Sequence, residues 1–173
     1  MAALGAATVQ ILGTEDRGAL VLGLTFCGLL VVVTVTDVDR RVIPNAALFA
    51  GALSGMAISV ASDPGSLGER AIGAGAAGGL LLPVALAHPH GLGMGDVKLA
   101  AVMGLYLGRS VAPALLVGFG AGALAGVALI ARRGRDARRQ VIAFGPWLAL
   151  GGVVGLWWGD AMLEWYLRTF LAG

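Results

Sequence analysis

The sequence predicts an all-α membrane protein, a polytopic bundle of about six transmembrane helices. Hydrophobic residues make up 58% of the chain and charged residues only 13%, whereas a soluble domain carries about twice that charged fraction. Apolar runs recur along the chain, separated by short polar segments, and only one of these runs contains a charged residue, Lys98. The chain also contains 29 glycines, and small residues are typical of membrane helices because they let two backbones approach closely.

The apolar runs predict the helices in order. They cover residues 18–36, 46–61, 71–87, 97–107, 111–131 and 141–159. A run of about 20 residues crosses a hydrocarbon core of about 30 Å, so the short fourth run is the weakest of the predicted spans. The single cysteine, Cys27, lies inside the first run, which excludes an intramolecular disulfide and a cysteine-based zinc site.

The charges predict how the chain is divided and oriented. We expect an apolar N-terminal lead-in at 1–17, a six-helix transmembrane domain at 18–159 and an interfacial tail at 160–173. With six spans, Arg40, Arg41, Lys98 and the arginines of 132–139 fall on one side. The positive-inside rule places that side in the cytoplasm and both termini outside.

Two aspartates fall at the same predicted depth. Asp37 ends the first run and Asp96 opens the fourth, both on the cytoplasmic side. Two carboxyl groups that share a site cannot both ionise easily, so one keeps its proton. The ionised group can then act as general base on water and the protonated one as general acid. The pair predicts peptide hydrolysis without a metal or cofactor. Taken alone, Asp96 is explained equally well as a helix cap, and Asp39 as a solvated loop residue.

The residues around the aspartates suggest how a substrate approaches. Gly93 and Gly95 flank Met94 just before Asp96, and they leave a bare backbone that an extended peptide can approach. Pro44 disfavours helix at the residue before it and can begin a new helix at Asn45. Lys98, two residues after Asp96, marks the cytoplasmic edge.

Other chemistries fit the sequence less well. His88 and His90 flank a proline and could join Asp96 as metal ligands, but no His-Glu-x-x-His pattern is present, so we predict no metal. No Gly-x-Ser-x-Gly elbow is present either. The arginines of 132–139 are best explained as an anchor against anionic lipid, and we expect no nucleic-acid partner.

Three motifs resemble the type IV prepilin peptidases, polytopic aspartic proteases of the Gly-x-Gly-Asp class. Residues 93–98 (Gly-Met-Gly-Asp-Val-Lys) match that family's second catalytic motif. Residues 37–45 are similar to its first motif, in which an aspartate lies seven residues before a proline. Residues 144–149 (Phe-Gly-Pro-Trp-Leu-Ala) resemble a stretch at the start of its last helix. The resemblance makes Asp37 and Asp96 the catalytic pair.

The resemblance implies pilin-like precursors as substrates, cut between a basic leader and an apolar helix at the inner face of the bacterial cytoplasmic membrane. Larger members carry an N-terminal domain with paired Cys-x-x-Cys motifs and also methylate the new N-terminus. This chain has only Cys27, so we expect a peptidase and argue against methyltransferase activity.

Two alternative functions stay open. The aspartates could serve ion binding or helix packing in a small transport or assembly subunit. The chain could also be a Gly-x-Gly-Asp intramembrane protease with other substrates, although such proteases lack the proline that Pro44 supplies here.

Overall fold

The computed structural model describes residues 17–88, 92–133 and 144–170. These residues form six α-helices, which confirms the predicted all-α fold. The helices are α1 (Arg17–Arg40), α2 (Asn45–Ser62), α3 (Leu67–Ala87), α4 (Met94–Leu107), α5 (Val111–Arg133) and α6 (Gly145–Phe170). Single 3₁₀ turns at Pro64–Ser66 and Gly108–Ser110 link α2 to α3 and α4 to α5.

Four helical stretches among the described residues are long and apolar enough to cross a membrane. They are α1, α2, Pro64–Ala87 and a 39-residue stretch, Met94–Arg132, in which α4 and α5 are counted together. Large apolar side chains also cover the outside of the bundle, among them Leu24, Phe49, Ile72, Leu80 and Leu116. So large an exposed apolar surface suits a lipid environment, while the number of separate spans stays a prediction.

Helix α4 lies at the centre of the bundle and contacts each of the other five described helices. Its residues Leu99, Ala100 and Met103 are completely buried. It has only 14 residues, so it is about 21 Å long, shorter than a hydrocarbon core. The first turn of this central helix carries Asp96.

Close contacts between small residues hold neighbouring helices together. A methyl group on Gly104 of α4 would overlap the backbone of Gly73 and Ala74 in α3. A methyl group on Gly151 of α6 would likewise overlap the carbonyl oxygen of Ala114 in α5. These helix pairs therefore pack backbone against backbone, as the glycine content predicts.

The helix ends differ from the predicted runs at one place in particular. Helix α6 does not stop at Gly159 but continues to Phe170, so most of the predicted tail, 160–173, forms its last turns. The reason is local, because Ala161, Met162 and Leu163 are good helix formers and no proline or glycine follows until the chain end. The interfacial position of this segment stays a prediction.

Two predicted segments fall largely outside the described residues. They are the N-terminal lead-in, of which only Arg17 is described, and the basic segment 132–139, of which only its first two residues are described.

At the end of the bundle that carries the start of α3, charged side chains join α3 and α6 to the turn between α4 and α5. Arg109 lies between Asp160 and Glu69, with its Nε 3.2 Å from Asp160 Oδ1 and 3.9 Å from Glu69 Oε1. Ser110 Oγ donates a hydrogen bond of 2.7 Å to Asp160 Oδ1. The charged side chains are more than half exposed, so each ion pair contributes little stability.

Candidate active site

Asp37 lies in the last turn of α1, where its side chain is buried. One carboxylate oxygen, Oδ2, accepts a hydrogen bond of 2.8 Å from the backbone N–H of Gly145, the first residue of α6. The first N–H groups of a helix have no partner within it and favour a negative charge. The start of α6 therefore fixes the position of the Asp37 side chain.

Asp96 is held in a similar way by the start of its own helix. It is the third residue of α4, it is buried, and its Oδ2 accepts a hydrogen bond of 3.1 Å from the N–H of Gly93. Pairing of this kind between the third helical residue and the residue before the helix is half of a capping box. The capping interpretation of Asp96 is thus correct as far as the fold goes, and it leaves room for a second role.

The structure places the two predicted carboxylates on neighbouring helices. Helices α1 and α4 are in contact, and Asp37 and Asp96 are close enough for their charges to interact. Asp39, by contrast, is exposed on the outside of α1. Burial therefore separates Asp39 from Asp37 and Asp96. Two buried acids on contacting helices have the chemistry to supply one general base and one general acid.

The turn between α1 and α2 contacts α4 at two points. The buried Ile43 side chain packs on Gly95, where an added Cβ would come within 3.2 Å of the Ile43 Cβ. Three residues after Gly95, Lys98 Nζ donates a hydrogen bond of 2.9 Å to Asn45 Oδ1. The turn that follows Asp37 is therefore bound to the helix turn that carries Asp96.

The remaining predicted site residues surround these contacts. Pro44 precedes α2 in an extended conformation and accepts a hydrogen bond from the Leu48 N–H. Gly93 and Met94 are exposed beside Asp96. At Gly95 the packing of Ile43 leaves no room for a side chain, whereas Gly93 does not contact Ile43. The predicted approach of a peptide to bare backbone therefore applies best to Gly93.

Arg41 has a left-handed backbone, with φ of 53°. Such a conformation is costly for a residue with a side chain and is usually taken by glycine at the end of a helix. It reverses the chain directly after α1, where the Arg41 N–H donates to the Asp37 carbonyl. The chain therefore reverses its direction within a few residues after Asp37.

Of the two histidines considered as metal ligands, the structure describes only His88. Among the described residues no group of three His, Cys, Asp or Glu side chains is arranged to hold a metal ion. His88 is described and exposed, and His90 lies outside the described residues. The absence of a metal stays a prediction.

Gly145 is the residue that the sequence interpretation missed as part of the site. It belongs to the motif at 144–149, and the structure ties it to Asp37 across 108 positions of the chain. The available signal was Pro146, because proline is favoured in the first turn of a helix. That preference indicates that the N–H groups near Gly145 have no partner within the helix, but it does not indicate which carboxylate accepts a hydrogen bond from them.

The three motifs therefore meet at one end of the bundle, and comparison with known proteins agrees with this arrangement. The sequence profile of the type IV leader peptidase family matches residues 24–131, a range that includes both buried aspartates. The chain belongs to the type IV leader peptidase family. The resemblance inferred from the motifs is confirmed.

Individual relatives extend the match over most of the chain. Proteins named "Prepilin leader peptidase/N-methyltransferase" are 36% identical over 149 residues in Aeromonas hydrophila and 37% identical over 150 residues in Bacillus subtilis (strain 168). These alignments cover 82% and 86% of this chain. The protein of the same name from Aeromonas salmonicida (strain A449) is 33% identical over 99% of the chain.

The chain spans 51% of the length of the A. hydrophila relative and 60% of the other two. No solved structure matches the chain at a significant level.

Proposed function

We propose that this protein is a membrane aspartic endopeptidase that removes the leader peptide from type IV pilin-like precursors. The observation that carries the proposal is the pair of buried carboxylates, Asp37 and Asp96, presented by two contacting helices. The printed names of the relatives support the choice of substrate. Those names also include an N-methyltransferase activity, and the proposal concerns the peptidase alone.

The chemistry requires only water and the two carboxyl groups. The ionised carboxylate takes a proton from a water molecule, whose oxygen attacks the carbonyl carbon of the scissile peptide bond. The protonated carboxyl group then gives its proton to the leaving nitrogen as the C–N bond breaks. The products are a free leader carboxylate and a new amino terminus. Proton exchange with water then returns the two carboxyl groups to their starting state, one ionised and one protonated.

We place the reaction at the cytoplasmic edge of the bacterial cytoplasmic membrane. Arg40, Arg41 and Lys98 lie at the same end of the bundle as the aspartates, and the positive-inside rule assigns such an end to the cytoplasm. A basic segment at 132–139 would hold this end against anionic lipid. A site at this depth suits a scissile bond between a polar leader and an apolar helix.

The test is cleavage of a precursor by the purified protein in lipid vesicles, without other components. The substrate is a synthetic peptide with a basic leader followed by an apolar helix, and mass spectrometry identifies the bond that is cut. We expect one cut between the two parts, and no cut with Asp96→Asn. An intact peptide would favour a transport or assembly subunit, and a cut inside the apolar helix would favour an intramembrane protease with other substrates.

A further inference from the structure

The contact between Lys98 and Asn45 joins the two aspartate motifs outside the catalytic pair. Lys98 Nζ lies 2.9 Å from Asn45 Oδ1, and the two residues are 53 positions apart in the chain. Lys98 is the only lysine in the sequence, and the other cationic residues are arginines. Asn45 is the first residue of α2.

The direction of the Lys98 side chain decides what it can do. Successive residues in a helix are turned by about 100°, so Lys98 points to nearly the opposite side of α4 from Asp96, two residues earlier. The burial pattern agrees, because Asp96 is buried and Lys98 is exposed. Lys98 therefore reaches the turn before α2 and not the scissile bond at Asp96.

That turn links the two carboxylates. It begins at Arg41, directly after the last turn of α1 that carries Asp37, and it ends at Pro44, directly before Asn45 opens α2. Ile43 packs on Gly95 beside Asp96, and Asn45 binds Lys98 one turn further along α4. Two contacts prevent a rotation of the turn against α4 that one contact alone would allow.

We propose that Lys98 and Asn45 are a pair of positioning residues that hold the end of α1 in register with the start of α4, and thereby align Asp37 with Asp96. The inference rests on the proposed peptidase function. Loss of the hydrogen bond lets the turn shift, and misplacement of catalytic groups by about 1 Å costs up to about a hundredfold in rate. We expect a loss of about tenfold in kcat, with KM within about twofold, because neither side chain contacts the substrate at the cleavage point.

The test is a double-mutant cycle in the vesicle cleavage assay with Lys98→Met, Asn45→Leu and the double variant. If the residues act as a pair, each single variant lowers kcat about tenfold and the double variant is no worse than either. Lys98→Arg and Asn45→Asp keep a donor and an acceptor and should restore most of the rate. Arg109→Met, which removes a cation at the other end of the bundle, is the matched control and should leave kcat unchanged.

Several results would overturn the positioning role. A rise in KM with kcat unchanged would make Lys98 a substrate contact. A lower kcat with Lys98→Met, and an unchanged kcat with Asn45→Leu, would indicate that Lys98 acts as a charge at the membrane interface and not through Asn45. Asn45 is exposed at the start of α2, so Asn45→Leu tests the same contact if Lys98→Met fails to insert. Failure of the wild-type protein to cleave would instead count against the proposed function itself.

Discussion

At the scale of single residues, hydrogen bonds to helix starts distinguish the two proposed catalytic groups from the acid beside them. Asp37 accepts from Gly145 and Asp96 accepts from Gly93, while Asp39 is exposed. Both accepted bonds come from N–H groups that have no partner inside their helix, so neither carboxylate is buried without compensation. The hydrogen bonds thus lower the free-energy cost of burying the two acids.

The contact between Gly145 and Asp37 leads to a prediction. A methyl group on Gly145 would lie 2.6 Å from Asp37 Oδ2, so Gly145→Ala must displace the carboxylate. We expect the cleavage rate to fall at least about tenfold, since small displacements of catalytic groups are costly.

The matched control is Gly28→Ala in α1, because an added methyl group there meets nothing within 4 Å. That variant should cleave at the wild-type rate. Equal rates for Gly145→Ala and Gly28→Ala, measured on proteins of equal thermal stability, would remove Gly145 from the account.

At the scale of helices, α4 determines both the packing and the site. It is the shortest of the described helices and the only one of them that contacts all the others. Its glycine face packs on α3, and its first turn presents Asp96 to α1. The same helix therefore couples the stability of the bundle to the geometry of the carboxylates.

Gly104→Ala tests this packing. The added methyl group would overlap the backbone of Gly73 and Ala74, which cannot move aside as a flexible side chain can. Overpacking of this kind costs about 1–3 kcal/mol, so we expect a lower temperature of thermal unfolding in detergent. Gly79→Ala in α3, where the added methyl group meets nothing within 4 Å, should match the wild type or exceed it, because alanine favours helix over glycine by about 1 kcal/mol. An unchanged unfolding temperature for Gly104→Ala would mean that α3 and α4 are less closely packed than described.

The helices were predictable from the sequence because each apolar run is ended by charged residues, proline or glycine. The α6 boundary was not, since nothing after Gly159 breaks the helix and only its composition changes. The proposed pairing of Asp37 with Asp96 rests on their equal predicted depth and remains a prediction. The bonds from Gly145 to Asp37 and from Lys98 to Asn45 depend on how helices rotate against one another, and no local pattern encodes that rotation.

At the scale of the whole molecule, the two ends of the bundle carry different charges. By sequence, the end with the aspartates has Arg40, Arg41, Lys98 and the five arginines of 132–139, while the other end has only Arg17, Arg70, Arg109 and Arg168, together with acids such as Glu69 and Asp160. This asymmetry is what the positive-inside rule uses to orient a membrane protein. The proposed orientation places the active site where a precursor is still in the cytoplasm.

The single lysine allows the orientation to be measured. An amine-reactive reagent that cannot cross membranes should label the Lys98 peptide in inverted vesicles, whose cytoplasmic face is outside, and not in right-side-out vesicles. Mass spectrometry separates this peptide from the labelled amino terminus, and Lys98→Arg provides the blank. Labelling of Lys98 only in right-side-out vesicles would reverse the proposed orientation.

The central claim is that Asp37 and Asp96 together perform the cleavage, and the most direct measurement compares three aspartate variants in the vesicle assay. Asparagine keeps an oxygen that accepts the N–H of Gly145 or Gly93 but cannot take up or release the catalytic proton. Asp37→Asn and Asp96→Asn should therefore fold like the wild type and lose about 10²–10⁴-fold in rate or more, while Asp39→Asn should stay within about twofold of the wild-type rate. Near-wild-type cleavage by either Asp37→Asn or Asp96→Asn would contradict the account.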